Sequence, residues 1–238
     1  MQSKQYELSL NVLRKLEEAG VLQNLVLVGS WCLVLYRDYF RDVGAIPAVR
    51  TRDMDFLVPS IAAIHKTVDV PELLKDLGFI IGFRGTQGVM MLEHPELMIE
   101  FLVPERGRGS EGLQDLPKLK MNAQALRFMG IALMMPIRLH FGSVMVKVPH
   151  PAAFALHKLL VAPCRRNVEK KRKDLEAAAL VLDLLKKKTE MPIVRDLLAK
   201  FPPAWKKRIL ATLRRELLVP YPSGTAIKNK KNIRRFRK

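Results

Sequence analysis

Asp53 and Asp55 flank Met54 at the head of an apolar run, Phe56-Leu57-Val58, that stops at Pro59. Side chains two apart on a strand share a face. Both carboxylates, with Thr51, therefore point one way, and Met54, Phe56 and Val58 point the other. Two like charges at the start of an otherwise apolar strand repel each other and are costly to strip of water. Bound cations offset that cost, and magnesium prefers one or two carboxylates together with substrate phosphate oxygens. A third acid, Glu100, lies inside the run Leu97-Met98-Ile99-Glu100-Phe101-Leu102-Val103. A lone glutamate in the middle of such a strand needs a partner. If its strand lies beside that of Asp53, three carboxylates converge, and two metal ions roughly 3.5–4 Å apart can activate a hydroxyl and stabilise a leaving pyrophosphate. Glu93 and Glu96 rank below Glu100, because they bracket His94-Pro95, which has the look of a hairpin turn.

An element is needed to hold the phosphates. Val26-Leu27-Val28 has the pattern of a short buried strand, Gly29-Ser30 ends it, and apolar spacing from Trp31 to Arg41 predicts a helix that begins near Ser30. Glycine lets a phosphate approach the backbone closely. The helix start offers free N–H groups, and Ser30 adds a hydroxyl.

Taken together, Gly29-Ser30, Asp53-Met54-Asp55 and Glu100 resemble the catalytic signature of the DNA polymerase β-like nucleotidyltransferase superfamily, and within it the chain looks closest to small stand-alone bacterial proteins that include the AbiEii-type toxins. The resemblance covers roughly residues 20 to 105. It implies an α/β (α+β) fold, a nucleotidyltransferase fold whose mixed sheet is flanked by helices. It also implies a phosphate-holding Gly29-Ser30 loop and an Asp53, Asp55, Glu100 triad holding magnesium (or manganese). The reaction implied is transfer of a nucleoside monophosphate from an NTP to a hydroxyl. Asp53 follows Gly29 by 24 residues, about twice the usual family spacing, and Gly44 and Pro47 mark the extra segment as a loop. Downstream, Lys158 and the pair Lys173-Asp174 resemble a lysine and a Lys-Asp element of the AbiEii-like proteins. That likeness implies triphosphate contacts from Lys158 and Lys173, with Asp174 orienting a lysine or the acceptor.

Composition bounds these expectations. Hydrophobic residues make up 49% of 238, which marks a folded chain with a full core. No apolar run approaches the ~20 residues that span a bilayer, and the N-terminus lacks a signal-peptide core. Cys32 and Cys164 fit neither a disulfide framework nor a zinc pattern, consistent with a reducing cytoplasm. Residues 165–238 hold 23 Lys and Arg against 7 acids, nearly the whole of the chain's +18. Such a field attracts polyanions. With few aromatics among these residues, the expected partner is a structured RNA recognised through its backbone.

The expected organisation is a catalytic domain over 1–150 with an N-terminal helix at 4–19, a basic helical subdomain over 151–219 and a basic tail over 220–238. Strands are expected near 24–28, 53–58, 78–83, 87–92 and 97–103, a surface loop over 104–115, and a hairpin over 137–149. The function these features favour is magnesium-dependent nucleotidyl transfer to RNA, a tRNA end foremost. The alternatives are transfer to a protein or small molecule, with an antitoxin or another neighbouring gene product as partner, and a catalytically silent nucleic-acid-binding protein.

Overall fold

A computed structural model of the chain describes residues 3–48, 51–105 and 112–217. Residues 106–111 of the expected 104–115 loop and the expected 220–238 tail lie outside the described residues. The chain divides into two compact units, Met1–His150 and Pro151–Lys238.

The first unit runs α1 (Ser3–Glu18), β1 (Val26–Val28), α2 (Trp31–Tyr39), β2 (Asp53–Leu57), α3 (Val70–Lys75), β3 (Ile80–Arg84), β4 (Val89–Glu93), β5 (Met98–Pro104), β6 (Leu113–Leu116), β7 (Met121–Leu126), β8 (Pro136–Phe141) and β9 (Val144–Pro149). It is a mixed α+β unit. The main sheet runs β1-β2-β5-β4-β3, and β7 pairs with both β5 and β6. β2 is parallel to β5, and β5 to β7; the other pairings are antiparallel. β8 and β9 form a separate hairpin through Gly142.

Two differences from the sequence expectation stand out. The segment expected to be loop through residue 115 already enters β6 at Leu113, and β7 carried no strand signal. The β7 sequence, Met-Asn-Ala-Gln-Ala-Leu, lacks β-branched and aromatic residues. It is a strand because β5 and β6 supply its backbone partners, in the register Leu102 to Gln124 and Leu116 to Met121. α2 ends at Tyr39, two residues before the expected end, and a turn through Val43 and Gly44 onto the Phe40 carbonyl follows.

The central sheet has one wholly apolar face. Met54, Phe56, Ile99 and Phe101 are fully buried, and the register partners Phe56 and Phe101 stack with centroids 5.9 Å apart. The other face changes character along the strands. Val26, Val28, Leu57 and Leu102 pack under Met129 and Ala132, whereas Asp53, Asp55 and Glu100 stand at the other end. α1 braces that end, because Gln5 Nε2 donates to the carbonyls of Thr51 (2.8 Å) and Glu96 (3.0 Å), just before β2 and β5.

The second unit holds α4 (Pro151–Val161), α5 (Val168–Lys187), α6 (Met191–Ala199) and α7 (Pro203–Thr212). Prolines occupy the first turns of α4, α6 and α7, where a missing N–H costs nothing, and Asn167 caps α5 by accepting from Lys170 N at 2.9 Å. α4 is buried on nearly every side and packs against the other three helices. Among the described residues no helix is long and apolar enough to cross a membrane.

Phe56→Ala should lower the unfolding free energy by about 3–5 kcal/mol, the usual cost of emptying a buried aromatic site. Chemical denaturation of the purified chain measures it, and a loss under about 1 kcal/mol would mean the stacked pair is not the centre of the sheet's core.

Candidate functional site

Parallel pairing sets Asp53 opposite Met98 and Asp55 opposite Glu100, while β1 sets Val28 opposite Asp55. Register partners share a face, so Asp53, Asp55 and Glu100 stand on the same side of two neighbouring strands, about 4.8 Å apart in the hydrogen-bonding direction. Asp53 is exposed, Asp55 half-buried and Glu100 buried.

Gly29 follows Val28 directly, with φ +71°. A β-carbon added to Gly29 would overlap the Asp55 carboxylate. Glycine is thus required twice, for its backbone conformation and for the carboxylate that lies over it. The sequence suggested only a close approach by phosphate; the side chain of Asp55 already uses the same gap. Ser30 starts α2 in helical conformation, its hydroxyl makes no capping bond, and Cys32 N and Leu33 N close the first turn onto the carbonyls of Gly29 (3.3 Å) and Ser30 (3.1 Å).

Glu100 brings in a residue that sequence analysis passed over. Arg84, at the end of β3, reaches across β4 and donates from Nη1 to Oε1 (2.5 Å) and from Nη2 to Oε2 (2.6 Å). Both oxygens of the buried acid are engaged by a guanidinium. Among the described residues no group of three or more His, Cys, Asp or Glu stands at metal-holding spacing. Glu93 shares the face of Glu100 and lies over Gly82, where a β-carbon would overlap its carboxylate. Glu96 sits in the turn between β4 and β5, its N–H donating to His94 Nδ1 at 3.1 Å.

The residues fit a divalent cation by the chemistry of their donors. Asp53 and Asp55 offer hard oxygens on one face, beside a turn whose glycine leaves no side chain in the way.

In the second unit, Lys158 on α4 and Asp174 on α5 meet. Lys158 Nζ is 2.5 Å from Asp174 Oδ1, Arg165 Nε is 2.8 Å from Oδ2, and Asp174 is buried. Burial alone would raise the Asp174 carboxyl, but the Lys158 and Arg165 cations outweigh it and hold the group below the ordinary carboxylate range. Lys173 is exposed on α5, and Asp174 pairs with Lys158 and Arg165. Arg165 figured in the sequence only as part of a basic cluster. Next to Lys158, His157 Nε2 is shut off from solvent with no hydrogen-bond partner. That burial, with the Lys158 charge, drives the His157 pKa down to about 3.

The fold and the acid-bearing face define a class, an α+β protein whose mixed sheet presents carboxylates beside a glycine turn. The family model described as Nucleotidyltransferase matches residues 7–201, and the chain belongs to that family of transferase enzymes. Among solved structures, the antibiotic-resistance factor ANT(2'')-Ia is similar at 14% identity and TM-score 0.45, over 84% of this chain and 95% of that one. An antigenic nucleotidyltransferase-like protein from Paracoccidioides brasiliensis is similar at 15% identity and TM-score 0.48, over 88% and 94%. The family match, and not these two distant likenesses, carries the assignment. No curated protein matches the chain in sequence.

Gly29→Ala should cost about 1–2 kcal/mol from the left-handed backbone alone and should also displace the Asp55 carboxylate. Thermal melts would show the first effect and loss of nucleotidyl transfer the second; full activity in a folded Gly29→Ala chain would contradict the packing described.

The folded His157 holds off a proton that the unfolded chain takes up near the ordinary value of 6.5. Its contribution to stability is complete above that value and drains away as the pH falls toward 3. Melting temperature should therefore drop from about pH 7 to about pH 5 by more in the natural chain than in His157→Leu, and equal drops would contradict the burial of Nε2.

Proposed function

We propose that this enzyme is a magnesium-dependent nucleotidyltransferase that moves a nucleoside monophosphate from an NTP to a hydroxyl of RNA, a tRNA end foremost. The observation that carries the proposal is the common face of Asp53, Asp55 and Glu100 beside the Gly29-Ser30 turn. Asp53 and Asp55 would hold the divalent cation (magnesium or manganese), and Glu100, both of whose oxygens Arg84 engages, stands beside them on the same face. When bound, the metal supplies charge to offset the phosphates and lowers the pKa of the attacking hydroxyl. Gly29 and Ser30 would seat the phosphates on the helix start. The hydroxyl oxygen bonds to the α-phosphorus, the bond from that phosphorus to the α–β bridging oxygen breaks, and pyrophosphate leaves with the electron pair. The hydroxyl proton passes to a neighbouring carboxylate.

The RNA acceptor rests on charge. Residues 165–238 carry 23 Lys and Arg against 7 acids, and a polyanion is the partner such a surface draws. Lys158, Lys173 and Asp174 enter as nucleotide-binding residues. The pairing of Lys158 with Asp174 supports the part of the likeness in which Asp174 orients a lysine.

The test incubates the full chain with each labelled NTP, magnesium and total tRNA. Label on RNA, lost by about 10²–10³-fold in Asp55→Asn with the fold intact, is the expected outcome. Label on a protein or a small molecule would replace the RNA acceptor, and equal transfer by Asp55→Asn would overturn the proposed site.

A further inference from the structure

Glu100 has the environment of a residue that aims something else. It sits in the middle of β5, with Asp55 on one side and Met91 on the other, and is almost wholly out of solvent. An apolar residue would suit such a position at no greater energetic cost than a buried ion pair. What the acid adds is a fixed guanidinium. Arg84 grips it through both terminal nitrogens, one to each oxygen, the fork-on-fork geometry that fixes orientation as well as distance.

That grip uses two of the five N–H donors of the arginine. One N–H on each Nη and the Nε–H remain, and none of the three is bonded to another described residue. The Arg84 side chain is 48% exposed, against 6% for that of Glu100. Arg84 and Glu100 share the face that carries Asp53 and Asp55, since Gly82, Met91, Glu100 and Asp55 form one cross-strand row and Arg84 is two residues from Gly82. Glu100, which holds the guanidinium, lies on the strand next to that of Asp55. A half-exposed, pre-aimed guanidinium on the face of carboxylates that would hold a cation is suited to a phosphate oxygen, which accepts from the N–H groups that Glu100 leaves open.

We propose that Arg84 binds a phosphate of the incoming triphosphate and that Glu100 acts as its positioning residue. This rests on the nucleotidyltransferase site described above. The charge of Arg84 complements the phosphates from the β5 side, and the Gly29-Ser30 turn flanks β2 from the other. Holding the arginine in place before substrate arrives removes the ordering cost that a free surface arginine would carry.

Titration calorimetry in magnesium-containing buffer tests it, using the four NTPs and the matching nucleosides on the natural chain, Arg84→Gln, Arg84→Lys and, as a control for one exposed cation lost, Lys75→Gln. For the NTP bound most tightly, Arg84→Gln should lose tenfold or more, and Arg84→Lys, a point charge without the fork, should fall between. Lys75→Gln should match the natural chain, and nucleoside affinity should be the same throughout. An Arg84→Gln chain that binds the NTP within twofold of the natural chain overturns the inference. So does a parallel loss of nucleoside binding, which marks a collapsed site. If the natural chain transfers nucleotide while Arg84→Gln binds normally, only the inference fails. If the natural chain neither binds NTPs nor transfers, the proposed function falls with it.

Discussion

The parallel pairing of β2 with β5 is the constraint on which the candidate site depends. One register, Asp55 against Glu100, fixes which side chains share the open end of the sheet. A slip of one residue would turn Asp53 and Asp55 into the apolar layer now filled by Met54 and Phe56, and would bury two unpaired charges. The stacked Phe56 and Phe101 on the opposite face hold that register, as do the bonds of Met98 N to Arg52 O (2.7 Å) and Val58 N to Leu102 O (2.8 Å) at its two ends. The apolar layer is thus what keeps the acids at the surface.

Acid is gathered on that face and compensated piece by piece. Gly29 gives the Asp55 carboxylate room without a side chain to oppose it. Arg84 neutralises Glu100, the most buried of the three. Asp53 stays in water, where its charge is cheapest. In the second unit the same problem is solved with a shared acid: Asp174 is buried, and two cations from α4 and the turn after it converge on its two oxygens. Both arrangements withdraw charge from solvent, and both involve residues expected to act on nucleotide.

Much of this was legible in the chain because it rests on periodicity. The alternation in Asp53-Met54-Asp55-Phe56 and around Glu100 assigned each residue to a face, and the structure has those faces. The helix after Ser30, the hairpin at Gly142 and the proline-led helices of the second unit follow from local signals of the same kind. Pairings between distant segments left no such trace. Nothing in Gly82-Phe83-Arg84 announces that the arginine spans a strand to reach Glu100, since that contact depends on β4 lying between β3 and β5. Arg165 was indistinguishable from its basic neighbours until the fold of α4 and α5 brought it to Asp174. β7 was missed because its strand character comes from its neighbours and not from its own residues.

The central claim is that Asp53 and Asp55, on a shared face beside Gly29, hold the cation that carries the triphosphate. A crystal structure of the full chain with magnesium and a non-hydrolysable NTP tests it most directly. The account predicts a magnesium ion about 2.0–2.1 Å from oxygens of both aspartates, with phosphate oxygens against the Gly29-Ser30 turn. A triphosphate bound elsewhere on the chain, with both aspartates free of metal, would contradict it.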